Sequence, residues 1–222
     1  MSFRNFLIIS IFFINCTTIG FHNHNKLNSY DFSKNINYRL CFYQEKSVSP
    51  ERVRALSESL SSELMLYNIN LETKILGEVA RPGFKTQNIY EFIIKIPIPD
   101  DCDRVMVLLE RNIFDFVIHI FLPEIMGLVE GSTRTRGFIF ADYLSINSLT
   151  GGTPKRILIH ENYHFLGCDH SIIMDDCYNQ IFLHKELAIE NYKNNNLFFP
   201  SLDYKNKFII NREIINYSLK NK

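Results

Sequence analysis

The sequence predicts an α+β fold, a mixed twisted sheet with helices packed against it, on three observations. The first is the order of its periodic segments: strand, helix, strands, helix, strand, strand, helix, with no internal repeat. The second is length, since 222 residues can form one domain with a sizeable core. The third is composition, 46% hydrophobic and 22% charged, which is ordinary for a globular chain. With 24 basic residues against 24 acidic ones the formal net charge is zero, which gives no electrostatic reason for a nucleic-acid partner or a polybasic membrane patch.

Taken in order, residues 1–16 (MSFRNFLIISIFFINC) stand apart from that domain. One Arg precedes an apolar run from Phe6 to Ile14 that is too short for a stable bilayer span, so the stretch reads as an export signal, with a buried first strand as the competing reading. Cys16, directly after the run, resembles the cysteine of a bacterial lipoprotein signal, which becomes a lipidated N terminus. The expectation is an exported protein, either attached to a membrane by lipid at Cys16 or cleaved and secreted. Residues 17–35 are polar and rich in Asn, His and Ser, and read as a flexible tether in which His22 and His24 are solvated. The remainder, 36–222, reads as one folded domain.

Within it, Tyr38, Leu40 and Phe42 alternate with Arg39, Cys41 and Tyr43, a strand pattern. A helix follows, with Ser49 as N-cap, Pro50 at the first helical position and Val53, Leu56, Leu60 and Leu64 on one face. Glu72 to Val79 and Ile89 to Ile96 are strand-like, and Asp101 to Arg111 reads as a second helix. FVIHIFLP from Phe116 reads as a buried strand in which His119 is a structural histidine, and GFIFADYLSIN from Gly137 as another strand. A helix is expected from Asn179 to Tyr192. With Cys16 set aside, Cys41, Cys102, Cys168 and Cys177 could pair in three ways in an exported chain. The pair Cys168 and Cys177 is the more suggestive because it brackets His170, and no CxxC is present.

The chemistry is concentrated in TPKRILIHENYHFLGCDH, residues 153–170. Thr153 can cap a helix, Pro154 suits its first position, and Gly167 can take the left-handed conformation that ends it. Side chains four apart on a helix project from nearly the same face, so His160 and His164 form a two-imidazole grip. Glu161 lies about 100° further round, beside a metal without ligating it, where it can accept a proton from water. His170 follows beyond the glycine as a third imidazole, completing HExxHxxGxxH and leaving one position of a tetrahedral zinc open.

In these residues the sequence resembles the metzincin zinc metallopeptidases, whose HExxHxxGxxH is followed by a methionine-containing turn. His160, Glu161, His164, Gly167 and His170 match position by position, and Met174 is the counterpart of the turn methionine. The resemblance implies an upper subdomain with a sheet and active-site helix, a cleft, a small C-terminal subdomain, Zn2+ as cofactor and a peptide or protein substrate. It also places GFIFADYLSIN near the edge strand that pairs with substrate. Asn162 and Tyr163 depart from the small or aliphatic residues common within the motif, and the paired cysteines that archaemetzincins carry after it are not found at their spacing.

Three other readings stay open on the sequence. A gluzincin-type peptidase would take Glu186, four residues before Glu190, as third ligand in place of His170. A surface-anchored zinc-binding protein would keep the scaffold without turnover, although it would have no need of Glu161. A closed structural site would recruit a fourth ligand such as Cys168 or Asp169. Tyr178 is the nearest downstream candidate for an oxyanion-stabilising hydroxyl.

Overall fold

The computed structural model describes residues 22–195 except 33, 84, 112–114, 116–124, 132–133, 144–151 and 171–172, with side chains as far as 186. The expected signal at 1–16, Cys16, the strand from Phe116 and His119 lie outside the described residues. The elements in chain order are α1 (His24–Leu27), β1 (Ile36–Glu45), α2 (Pro50–Leu64), β2 (Ile69–Val79), α3 (Thr86–Ile93), β3 (Arg104–Leu109), β4 (Gly127–Val129), β5 (Arg136–Phe140), α4 (Pro154–Phe165) and α5 (Asp175–Asn195). Among the described residues the five strands form one sheet in the order β2-β1-β3-β5-β4. All neighbours run parallel except β4, which pairs antiparallel with β5 and forms one edge.

The sheet separates two apolar layers. On one face Tyr38, Leu40 and Phe42 of β1, Met106 and Leu108 of β3 and Ile139 of β5 meet Val53, Leu56 and Leu60 of α2 and Leu158 and Phe165 of α4. On the other, Cys41, Val105, Val107, Leu109 and Phe138 meet Ile89 and Ile93 of α3. α2 starts as expected, with the Ser49 side chain accepting from Arg52 N and Val53, Leu56, Leu60 and Leu64 buried.

Both errors in the secondary-structure expectation come from this double coverage. Residues 104–109 form a central strand rather than a helix. RVMVLL is buried along its whole length, because a parallel strand covered on both faces loses the polar alternation that would reveal it. Residues 86–93 form a helix rather than a strand, with Ile89 and Ile93, four apart, buried as its inward face.

The polar N-terminal stretch is also not a tether over its described part. α1 is capped by Asn23, and Leu27 and Phe32 are buried in the first core layer. His22 bonds to Glu63 of α2 at 2.8 Å and to the Tyr178 hydroxyl of α5 at 2.9 Å. Lys185 of α5 secures the same stretch by donating to the backbone oxygens of Phe32 (2.9 Å), Lys34 (2.6 Å) and Tyr67 (2.6 Å). These partners are remote in sequence, so no local pattern announces them. The described part of the C-terminal region is α5, whose Tyr178 and Ile181 join the first core layer rather than a separate one.

Candidate metal centre

α4 carries the centre, and its ends follow from its sequence. Thr153 Oγ1 accepts from Arg156 N at 3.5 Å, Pro154 opens the helix, and Gly167 turns the chain away with φ +91°. Gly167 is also fixed by space, since a Cβ there would lie 2.5 Å from His184 Nε2. The turn returns His170 to the exposed side of α4. His160 Nε2 lies 3.1 Å from His164 Nε2 and 3.2 Å from His170 Nε2. Tetrahedral zinc with Zn–N bonds of about 2.05 Å separates its ligand nitrogens by about 3.3 Å, close to both of these separations, and all three imidazoles offer a nitrogen within 4.8 Å of the others.

The protonation states suit ligation. His164 Nδ1 lies 2.8 Å from the carbonyl oxygen of Cys168, an acceptor, so Nδ1 carries the hydrogen and Nε2 presents its lone pair. Burial, reinforced by the neighbouring His164 and His170, pushes the His160 imidazole down to about 3, and burial lowers His164 as well. Glu161 is buried beside them, and burial pushes its carboxyl up to about 8. Gly127 of the edge strand β4 lies hard against it, for a Cβ there would come within 2.8 Å of Glu161 Oε1.

The other candidate ligands have different surroundings. Among the described residues the histidine, cysteine and carboxylate group placed to hold a metal is His160, His164 and His170. Glu186 is exposed on α5 and is not part of that group, and the Glu190 side chain lies outside the described residues. Cys168 is bonded to Cys177, and Asp169 accepts from Arg134 Nη2 at 2.9 Å. The second disulfide joins Cys41 to Cys102. Met174 is buried immediately before α5, in the first core layer. The Tyr178 hydroxyl is engaged by His22 and by the backbone N–H of Asn23, which removes the reason to look to it for oxyanion stabilisation.

The two unusual motif residues have defined partners. Asn162 accepts from the Tyr38 hydroxyl of β1 at 3.1 Å and donates to Leu158 O at 2.8 Å. The Tyr163 hydroxyl donates to Glu63 of α2 and lies 2.8 Å from that of Tyr67. Sequence reading missed Gly127, Arg134, Glu63 and Tyr67. Each acts across a distance in the chain, and none stands in a recognisable pattern.

GFIFADYLSIN contributes β5, which lies beside the edge strand β4. Among solved structures, the chain is similar to a crystal structure of archaemetzincin (amzA) from Methanopyrus kandleri. The match has 12% identity, covers 66% of this chain and 86% of that one, and has a TM-score of 0.40. No family model matches the chain, and no curated protein does.

Proposed function

We propose that the protein is a zinc-dependent endopeptidase of metzincin type, with His160, His164 and His170 as ligands and Glu161 as general base. The observation that carries this is the convergence of three imidazole nitrogens beside a buried glutamate whose single-residue offset on α4 keeps it out of the ligand set. When bound, zinc supplies a Lewis acid that lowers the pKa of a coordinated water to about 7. Glu161 accepts the proton of the water that attacks the scissile carbonyl and delivers it to the leaving amine. Edge strand β4 provides an extended backbone beside the centre along which a peptide substrate can lie. Residues 1–16 export the chain, which is then either held at a membrane by lipid at Cys16 or cleaved and secreted.

The test is a Glu161→Gln variant of the zinc-loaded protein, assayed on a mixed peptide library against the parent. Gln keeps the size and the helix but cannot take the proton. Zinc content should stay at the parent level while the rate falls by at least about two orders of magnitude. Full zinc with nearly full activity would refute Glu161 as the base. A parent that binds zinc and cleaves nothing would favour the non-catalytic zinc-binding reading.

A further inference from the structure

The opposite edge of the sheet is β2, and its first half has the features of a pairing surface. Glu72, Thr73, Lys74 and Ile75 are exposed in succession, on both faces of the strand, and Ile75 is 47% exposed. Among the described residues no strand pairs with its outer side. The stretch Ile69–Ile75 holds regular register with β1, has no proline, and is interrupted only at Leu76, where the register shifts by one residue. Edges of this kind are normally blunted, because their free N–H and C=O groups invite another strand.

The direction of those groups can be worked out. Ile36 N donates to Asn68 O at 3.3 Å, so the even-numbered residues of β2 turn their backbone groups toward β1. Leu71, Thr73 and Ile75 therefore turn theirs outward. Their side chains line a groove against Val53, Ser57 and Ser61 of α2, while Lys74 points to the other face, where it pairs with Asp101 at 2.5 Å.

We propose that β2 pairs antiparallel with β2 of a second copy of this chain, across a two-fold axis through Thr73, to give a homodimer with one continuous sheet. In that register Thr73 faces Thr73, Leu71 faces Ile75 of the second copy, and Glu72 faces Lys74. The outward backbone groups of 71, 73 and 75 then form the hydrogen-bonded pairs. Glu72 and Lys74 occupy the closer non-hydrogen-bonded positions, where opposite charges stabilise the pairing. Centring the axis one residue either way would set Glu72 against Glu72 or Lys74 against Lys74, so the charge pattern selects this register. The Leu71 and Ile75 pairs continue the apolar strip beside α2. The proposal is independent of the metal centre.

Sedimentation equilibrium of the full chain tests it. The parent should be a dimer. Thr73→Pro removes an N–H that points away from β1, so the chain should keep its fold by circular dichroism and become a monomer. Lys74→Glu and Glu72→Lys should each weaken the dimer by roughly tenfold or more, and the double exchange Glu72→Lys with Lys74→Glu should restore it. Three results would overturn the proposal: a parent that stays monomeric at about 100 μM, a dimer indifferent to Thr73→Pro, or a charge exchange that fails to restore pairing. A monomeric parent whose Leu71, Thr73 and Ile75 amides exchange slowly would assign the edge to another segment of the same chain, and would likewise overturn it.

Discussion

Gly127→Ala probes how closely the edge strand holds the proposed base. A Cβ at this position would lie 2.8 Å from Glu161 Oε1, 2.9 Å from its Cγ and 3.0 Å from Ile157 Cγ2, whereas ordinary contact begins at 3.4 Å. The carboxylate tip could swing aside, but Cγ is the stem of the side chain, and Ile157 is buried on the same helix. Strand or helix must therefore give by roughly half an ångström, and overpacking of this kind costs about 1–3 kcal/mol. A reacting group misplaced by about an ångström can lose roughly a hundredfold in rate, so half that displacement should cost about tenfold in kcat/KM. The zinc content should not change, because none of the three imidazoles meets the new methyl among its nearest contacts. The assay compares kcat/KM on a peptide that the parent cleaves, metal content by elemental analysis, and Tm by calorimetry. A variant with parental rate and parental Tm would refute the close approach of β4 to Glu161. A variant that loses zinc together with activity would show that Gly127 acts on the ligands instead.

Other consequences can be checked separately. His160→Ala, His164→Ala and His170→Ala should each lose most of the zinc, as two imidazoles make a weak site, whereas Glu186→Ala should keep it; the opposite pattern for His170 and Glu186 would establish the gluzincin alternative. Burial holds the His184 imidazole down at about 3, below its usual 6.5, so between those pH values the unfolded chain takes up a proton that the folded one does not. Stability of the metal-free protein should therefore fall as pH drops through that window, by up to about 1.4 kcal/mol per unit for this group; in urea titrations His184→Leu should flatten the slope by about one proton. Cys16→Ser should move the protein from a detergent-soluble membrane fraction to a soluble exported one, and an unchanged distribution would count against lipid attachment.

What could be read from the sequence divides by the reach of the interaction. α4 was legible because cap, proline, ligand spacing and terminal glycine all lie within residues 153–170, where helix geometry converts spacing directly into position. α2 was legible for the same reason, with one apolar face and an N-cap. β3 and α3 were misread because burial depends on which layers cover a segment, and that is decided by distant parts of the chain. The docking of residues 22–32 was illegible because His22 meets Tyr178 across 156 positions. Gly127 is similar: its need for a bare Cα comes from Glu161, which a reading along the chain cannot place beside it.

The polar residues on the buried side of α4 bear on how accurately a helix can be aimed. An apolar face fits its neighbours through many weak contacts, and such a surface tolerates small rolls about the helix axis. Asn162 and Tyr163 are consecutive and so project about 100° apart, and each is tied by a directional bond to a different element, β1 in one case and α2 in the other. Two tethers at that angle fix the azimuth of the helix as two guy lines fix a mast. At the outer radius of a helix, about 5–6 Å, a roll of only about 10° sweeps a side-chain tip through about 1 Å. That is more than the tolerance of roughly 0.5 Å within which a metal or catalytic group must be held. At about 100° per residue Asn162 lies opposite the two imidazoles and Tyr163 to one side of them, so the bearing of His160 and His164 is set from behind and from the flank.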